Sequence, residues 1–249
     1  MDIIKKLAQE LAIKEEQAKA AVQLIDEGNT IPFIARYRKE MTGALNDETL
    51  RNLHERLLYL RNLEEKKEQV INAITDQGKM TEDLKKKILS AETLVAVDDL
   101  YRPYRPKKQT RATKAKEKGL EPLANILLLQ KTTKSMEEEA AAFVNAEKGV
   151  ANAKEAIAGA KDIIAEMIAD MADYRKSIRN CTMKQGSLVV KAKDEKAESV
   201  YEMYYDFREP LSKVTGYRVL AINRGEKEKF LTVKVEAPDV QIVNALNKT

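Results

Sequence analysis

A mainly α-helical scaffold is what this 249-residue sequence predicts, and three observations predict it. Glycine and proline are scarce, at 9 and 6, too few for the turn every ~8–12 residues that a β-sandwich or barrel requires. Hydrophobic residues make up 43%, enough to build a core, which argues against disorder. Two long stretches, 47–78 and 151–184, repeat apolar residues at helical 3-4 spacing. The expected architecture is all-α in the main. It is a multihelical scaffold with two long helices, a helix-turn-helix-like N-terminal unit and a small β-ribbon near the C-terminus.

Residues 2–11 form a short amphipathic helix with Ile3, Ile4, Leu7 and Leu11 on one side. A second helix, 14–27, stops at Gly28-Asn29, a usual C-terminal pair. Thr30 then caps a third, 31–39, with Pro32 in the first turn, where no N–H is missed. Asn46 or Asp47 starts the first long helix, about 45 Å from end to end, ending near Gly78. Leu50, Leu53, Leu57 and Leu60 mark its seam, Glu64 and Lys67 break the register, and Val70, Ile71 and Ile74 resume it on a shifted face.

Thr81 caps a helix to about Ala91, and a short one follows through Leu94, Val97 and Leu100. Pro103 and Pro106 make 101–106 an extended loop. Residues 113–118 form a helical turn stopped by Gly119, and Pro122 opens a helix over 123–129. Ser135 with Glu138 is a capping box. The second long helix covers 151–184, where Ala153, Ile157, Ala160, Ile164, Met167 and Met171 keep 3-4 spacing and the alanines allow close approach. After Gly186 the pattern changes. Leu188-Val189-Val190 reads as a strand, Asp194 as the cap of a helix through Tyr204-Tyr205, 217–225 as a helix and 230–235 as a second strand. The last ten residues show no evident close to a core. Two regions result: 1–186, helical, with the helix-turn-helix-like unit at 14–39, and 187–249, mixed α/β.

Charge is concentrated. The chain carries 44 Lys+Arg and 40 Asp+Glu, a net +4. Residues 101–118 hold eight bases and only Glu117 against them, +7, so the rest of the chain is −3. Lys and Arg neutralise phosphates, and a tyrosine ring stacks on an unpaired base. The stretch therefore offers Arg102, Tyr104, Arg105, Lys107, Lys108, Arg111 and Lys114 as a candidate nucleic-acid site. The alternative makes Tyr101 and Tyr104 core anchors and the bases a surface coat. Arg36, Arg38 and Lys39, on the second helix of the helix-turn-helix-like unit, are secondary candidates. Base-specific DNA reading is disfavoured, because Ile31, Pro32, Phe33 and Ile34 at the reading end look like core.

Other chemistries find little support. The single cysteine, Cys181, excludes an internal disulfide, and one histidine, His54, excludes a two-histidine zinc motif. Asp98-Asp99 lacks a third carboxylate at ligand spacing and reads as ordering the loop beside Arg102 and Arg105. No glycine-rich phosphate loop precedes a helix. No catalytic residue, metal or cofactor is expected. The opening MDIIKKLAQELAI lacks the apolar centre of a signal peptide, and no run approaches the ~18 apolar residues of a membrane span. A soluble cytoplasmic protein is expected.

Five blocks together resemble the bacterial Tex-type transcription accessory proteins: IPFIARYRKEMTG (31–43), DDLYRPYRPKKQTRA (98–112), EKGLEPLA (117–124), GAKDIIAE (159–166) and RVLAINRGE (218–226). The resemblance covers nearly the whole chain. It implies an N-terminal helical scaffold with a helix-turn-helix-like portion, architecturally like a eukaryotic transcription elongation factor. Family members continue into an RNase H-like domain, helix-hairpin-helix elements and an S1 domain that is the principal nucleic-acid binder; this sequence contains none of them and reads as an N-terminal fragment. Where the family commonly has Ser-His-Arg, this chain has Gly216-Tyr217-Arg218, which alters the start of that helix. The implied partners are RNA or single-stranded DNA and the transcription machinery, with no membrane. A module that docks a transcription component or the protein's own further domains, without touching nucleic acid, is the competing expectation.

Overall fold

The computed structural model describes residues 1–248. The fold is mainly α, with one three-stranded antiparallel sheet among the described residues. The chain divides into two compact units, Met1–Arg105 and Pro106–Thr249.

The first unit is wholly helical: α1 (Ile3–Leu11), α2 (Glu15–Asp26), α3 (Ile31–Tyr37), α4 (Asp47–Asp76), α5 (Glu82–Ser90) and α6 (Leu94–Tyr101), closed by a 3-10 turn at Arg102–Tyr104. Local chemistry starts most of them. The side chains of Asp2, Asn46, Thr81 and Thr93 each accept a hydrogen bond from the backbone N–H three residues on, satisfying a donor with no partner inside the helix. Thr30 occupies the N-cap of α3, but its hydroxyl makes no capping bond, and α3 ends at Tyr37, two residues before the expected stop. Pro103 does not extend the chain after α6. It sits in the first turn of the 3-10 segment, where a missing N–H costs nothing.

The 30-residue α4 is the axis of this unit. Its buried face runs Leu50, Leu53, Leu57, Leu60, Leu63, Lys67, Val70 and Ile74. The seam is therefore continuous, and Lys67 lies in it rather than breaking it. Its side chain is 3% exposed, and Nζ donates to Glu64 Oε1 at 2.8 Å and to the Leu89 carbonyl at 2.9 Å. Four methylenes fill the seam while the ammonium reaches two acceptors. Leu7, Ala18, Ala21, Leu24 and Ile34 belong to the same core as the N-terminal half of this seam, and Leu84, Ile88 and Val97 complete it.

Two surface forks tie α1 and α2 to α4. Arg56 donates to both Glu10 oxygens at 2.5 and 2.9 Å, and Arg61 to both Asp26 oxygens at 2.8 Å. The Arg56 hydrogen bonds hold the Glu10 carboxyl below its ordinary 4.5, outweighing the upward push of burial. Those of Arg61 do the same to Asp26, below 3.8. Because both acids titrate lower in the fold than in the unfolded chain, the forks stabilise fully above about pH 4.5, and that gain is lost as pH falls through the depressed values. Urea midpoints taken between about pH 7 and pH 3 should decline less steeply in Arg56→Gln than in the parent chain. These pairs are half exposed, so the difference should stay below about 1 kcal/mol. Parallel curves would assign the acid sensitivity to other groups.

The second unit begins with α7 (Arg111–Glu117), α8 (Glu121–Leu129) and α9 (Met136–Ala141), which pack on α10 (Ala153–Asp170). Ala112, Ala115, Leu120, Leu123, Ala156, Ala160 and Ile163 are among its buried residues. Gly159 sets the approach: a Cβ there would lie 2.5 Å from Leu120 Cδ1 and 3.3 Å from Ala115 Cβ. The expected single helix over 151–184 is in fact two. Met171, with φ −68° and ψ 119°, ends α10, and α11 (Ala172–Gln185) follows directly. The 3-4 pattern runs through the break, but burial does not, since α11 has no fully buried residue. Tertiary partners take over the end of α10: Arg175 Nη1 donates to the Ala169 carbonyl at 3.3 Å, and Lys107 Nζ bonds Asp170.

The sheet has the order β2-β1-β3. β1 (Ser187–Ala192) pairs with β2 (Asp206–Pro210), Val190 opposite Phe207, and with β3 (Leu231–Glu236), Val190 opposite Val233. The expected ribbon of two strands is thus confirmed and extended by β2, whose Pro210 lies at an edge, where a missing donor is tolerated. The helix expected from Asp194 to Tyr205 does not form; that segment is turns and a 3-10 helix at Glu202–Tyr204. Tyrosines hold it instead. Tyr205 Oη donates to the Ala197 carbonyl at 2.5 Å and Tyr201 Oη to Glu228 Oε2 at 2.9 Å. Then α12 (Gly216–Lys227) packs on β3, and α13 (Asp239–Leu246) contacts α11, so residues 239–246 are helical rather than trailing. Residue 186, expected as a domain boundary, falls inside the second unit, between the α7–α10 core and a separate core around Val190, Ile222 and Leu231.

Candidate nucleic-acid interface

The basic stretch 101–118 is shared between the units. In the first, Tyr101 and Tyr104 both pack against the helical core, and the Tyr104 carbonyl accepts from Gln77 Nε2 at 2.9 Å. Arg105 lies over the Tyr101 ring at 5.4 Å and donates to Asp98 Oδ1 at 2.9 Å, while Lys66 approaches the same carboxylate at 3.5 Å. Arg102 is exposed at the start of the 3-10 turn. Both rings are anchors here, and Arg105 is partly neutralised.

In the second unit, two threonines build the start of α7. Thr110 Oγ1 accepts from the Thr113 N–H at 3.1 Å, Thr113 Oγ1 accepts from the Thr110 N–H at 2.7 Å, and Thr110 Oγ1 donates to Glu166 Oε1 at 3.0 Å. Lys107 Nζ bonds Asp170 and lies 3.3 Å from Glu166 Oε2. Its side chain is only 25% exposed. Lys107 therefore fastens the loop to α10 and is a positioning residue, not an open phosphate donor.

The remaining cations face outward. Ala112 and Ala115 bury one face of α7, which leaves Arg111 and Lys114 on the other. The Arg111 side chain is 87% exposed, with Asp162 3.6 Å away. Lys108 and Lys114 are exposed and have no carboxylate within ion-pair distance among the described residues. Lys118 Nζ donates to the Gly149 carbonyl at 2.8 Å. Arg111, Lys114 and Lys118 border an open pocket of about 250 Å³ between α7 and α10, with Glu155 and Asp162 on its opposite wall. Three cations against two carboxylates suit a phosphate that approaches from the α7 side.

The secondary candidates also sit on the surface. Ile34 is fully buried, whereas Phe33 and Tyr37, one turn apart on the other face of α3, are 36% and 60% exposed. Phe33 is thus not core, contrary to the sequence reading. Arg36, Arg38 and Lys39 line one depression with Tyr37, the Arg38 guanidinium lies over the Phe33 ring, and Met41 is 52% exposed. Sequence reasoning missed the two rings as surface features; their i, i+4 spacing beside three cations was the available signal. The turn after α3 is tightly held. Thr42 is fully buried, and Gln17 Nε2 donates to the carbonyls of Thr42 at 3.2 Å and Gly43 at 3.0 Å. Gly43 has φ +60°, which favours glycine, and a Cβ there would push on Gln17 Nε2 at 2.7 Å.

Elsewhere, His54 and Cys181 are half-buried, Cys181 at the α11–α13 seam. Among the described residues no three His, Cys, Asp or Glu side chains are placed to hold a metal, and no helix is long and apolar enough to cross a membrane.

The first unit is all-helical and built on one long axial helix, and the second leads from helices into a small antiparallel sheet. The chain belongs to the Tex family: residues 1–75 match the Tex-like protein N-terminal domain and residues 131–248 the Tex central region. It is 41% identical over 239 residues to the transcriptional accessory protein Tex of Neisseria gonorrhoeae, covering 95% of this chain and 31% of that one. It is 43% identical over 235 residues to protein tex of Bordetella pertussis, covering 94% and 30%. With the S1 RNA-binding domain-containing protein 1 of Homo sapiens it shares 33% identity over 248 residues, covering 96% and 24%. The chain spans about a third of the length of the curated bacterial relatives it matches.

Proposed function

We propose that this chain is the helical scaffold of a Tex-like transcription accessory protein in the cytoplasm, and that it contributes an auxiliary phosphate contact to RNA or single-stranded DNA, with no catalytic step of its own. The observation that carries the reading is the outward face of α7, where Lys108, Arg111 and Lys114 stand exposed while Lys107 and Thr110 fix the loop to α10. A relative named for an S1 RNA-binding domain supports RNA as the polymer.

The test is the salt dependence of single-stranded RNA binding by the 249-residue chain. Each phosphate contact on a single strand contributes about −0.7 to the slope of log K against log salt. Lys108→Glu with Lys114→Glu should reduce that slope by at least about 1.4 and weaken binding irrespective of base sequence. Lys107 is left unchanged, because its loss would free the loop from α10. A slope equal to that of the parent chain removes α7 from the interface.

One observation favours protein docking as a second reading. On α12, Tyr217 and Leu220 are 65% and 71% exposed, one turn apart. Capture of a transcription component that survives nuclease treatment and is lost in Leu220→Glu would support it; loss of all partners with nuclease favours the phosphate reading.

A further inference from the structure

The first unit neutralises most of its arginines. Arg51 is paired with Asp47, Arg56 with Glu10, Arg61 with Asp26 and Arg105 with Asp98. The segment after α3 does the opposite. Arg36 and Lys39 have no carboxylate within ion-pair distance among the described residues, and Arg38 donates only to the neighbouring Tyr37 carbonyl at 3.2 Å. Glu40 is the one acid in the stretch 36–41.

Aromatic surface lies among these cations. The Phe33 and Tyr37 rings are tilted against each other with centroids 5.3 Å apart, and the Arg38 guanidinium sits 5.1 Å above Phe33. Phe33 packs against Tyr37, yet Tyr37 stays 60% exposed. Arg36, Tyr37, Arg38, Lys39, Glu40 and Met41 border one open depression of about 490 Å³, three cations against one carboxylate. Buried Thr42 and the Gln17 hydrogen bonds fix the backbone under it. A large exposed ring beside a held turn, sharing an open depression with three cations and one carboxylate, is a preorganised surface.

We propose that this depression is a base-stacking site for single-stranded nucleic acid, with Tyr37 taking the face of an unpaired base and Arg36 and Lys39 taking the flanking phosphates. Stacking on an aromatic ring is tolerant of base identity, and the cations track the backbone. A protein partner fits less well, since the centre of a protein interface is depleted of lysine, and here Lys39 and two arginines line the same depression as the ring. The site rests on the reading of the chain as nucleic-acid-associated, but it lies in the other unit and uses different chemistry from the α7 cations.

The test uses the full chain and two oligonucleotides of equal length, one carrying 2-aminopurine and one abasic throughout, each as RNA and as DNA. Tyr37 is 60% exposed, so Tyr37→Ala leaves the core intact. Tyr37→Ala should weaken binding of the base-containing strand about fivefold or more and abolish the quenching of 2-aminopurine, with the abasic strand bound as before. Tyr37→Phe should restore both, since stacking needs the ring and not the hydroxyl. Arg36→Gln with Lys39→Gln should weaken both strands alike. Parent-like binding and quenching in Tyr37→Ala overturns the site and leaves the patch to a protein partner. If that result comes with a reduced salt slope in the Lys108 and Lys114 variant, the site alone falls and the phosphate reading stands. If the parent chain binds neither strand, both fall.

Discussion

Replacing Lys67 by alanine should destabilise the helical unit by about 2–4 kcal/mol, a large effect for a lysine. Three losses combine. The side-chain stem leaves a gap in the seam of α4, because Lys67 is buried between Leu63 and Val70. The Leu89 carbonyl, at the C-terminal end of α5, loses the donor that satisfied it. Glu64 loses its ammonium partner. Burial pushes the Glu64 carboxyl up, and the ammonium groups of Lys67 and the N-terminus more than reverse that push, holding it below 4.5. Glu64 remains 28% exposed, so water can recover part of its solvation, which keeps the cost below that of a fully buried charge. Lys67→Met restores most of the volume and none of the hydrogen bonds, and should cost about half as much. Amide exchange of α4 and α5 in denaturant separates this unit from the other, whose protection should not move. Equal protection in Lys67→Ala and the parent chain would sink the assignment of Lys67 to the core.

Gly225→Val should cost the mixed unit about 3 kcal/mol, with Gly225→Ala near 1 kcal/mol. A Cβ on Gly225 would lie 2.6 Å from Leu231 Cδ1, 2.9 Å from Leu231 Cγ and 3.1 Å from Tyr201 Cδ1. Leu231 is fully buried and Tyr201 is 5% exposed, so neither can swing out. Alanine gains about 1 kcal/mol of helix propensity, which offsets part of the crowding. Valine adds two methyl groups to the same space and keeps only part of that gain. The loss should appear as faster exchange of β3 amides and a lower urea midpoint for that unit. A valine variant as stable as the parent would mean that α12 slides along β3 without cost.

Most of the helical unit was legible because local rules and tertiary packing agree there. The caps at Asn46 and Thr81, the stop at Gly28 and the leucine spacing of α4 each point to the observed element. Lys67 reads as surface because a charged residue signals solvent unless its partners are known, and the Leu89 carbonyl that accepts from it lies on another helix. Met171 was invisible for a related reason. Apolar periodicity reports where a helix can bury a face, and it carries no mark where the burying partner ends. The segment after Asp194 offered a cap and apolar residues, but its tyrosines bond to Ala197 and Glu228, and those contacts stabilise turns instead.

The candidate site divides the same way. The sequence by itself determined the family, the helical class and the concentration of +7 in residues 101–118, because composition and motif order survive any arrangement in space. Only the tertiary structure decided which of those charges are open. Lys107 is engaged by Asp170 and Glu166, Tyr104 is packed on the core, and Lys108, Arg111 and Lys114 face solvent. It also turned Phe33 and Tyr37 outward, where the sequence had placed Phe33 inside. The physical reason is that a charge or a ring binds a ligand only with the surface its neighbours leave uncovered, and the neighbours that cover Lys107 lie some sixty residues away along the chain.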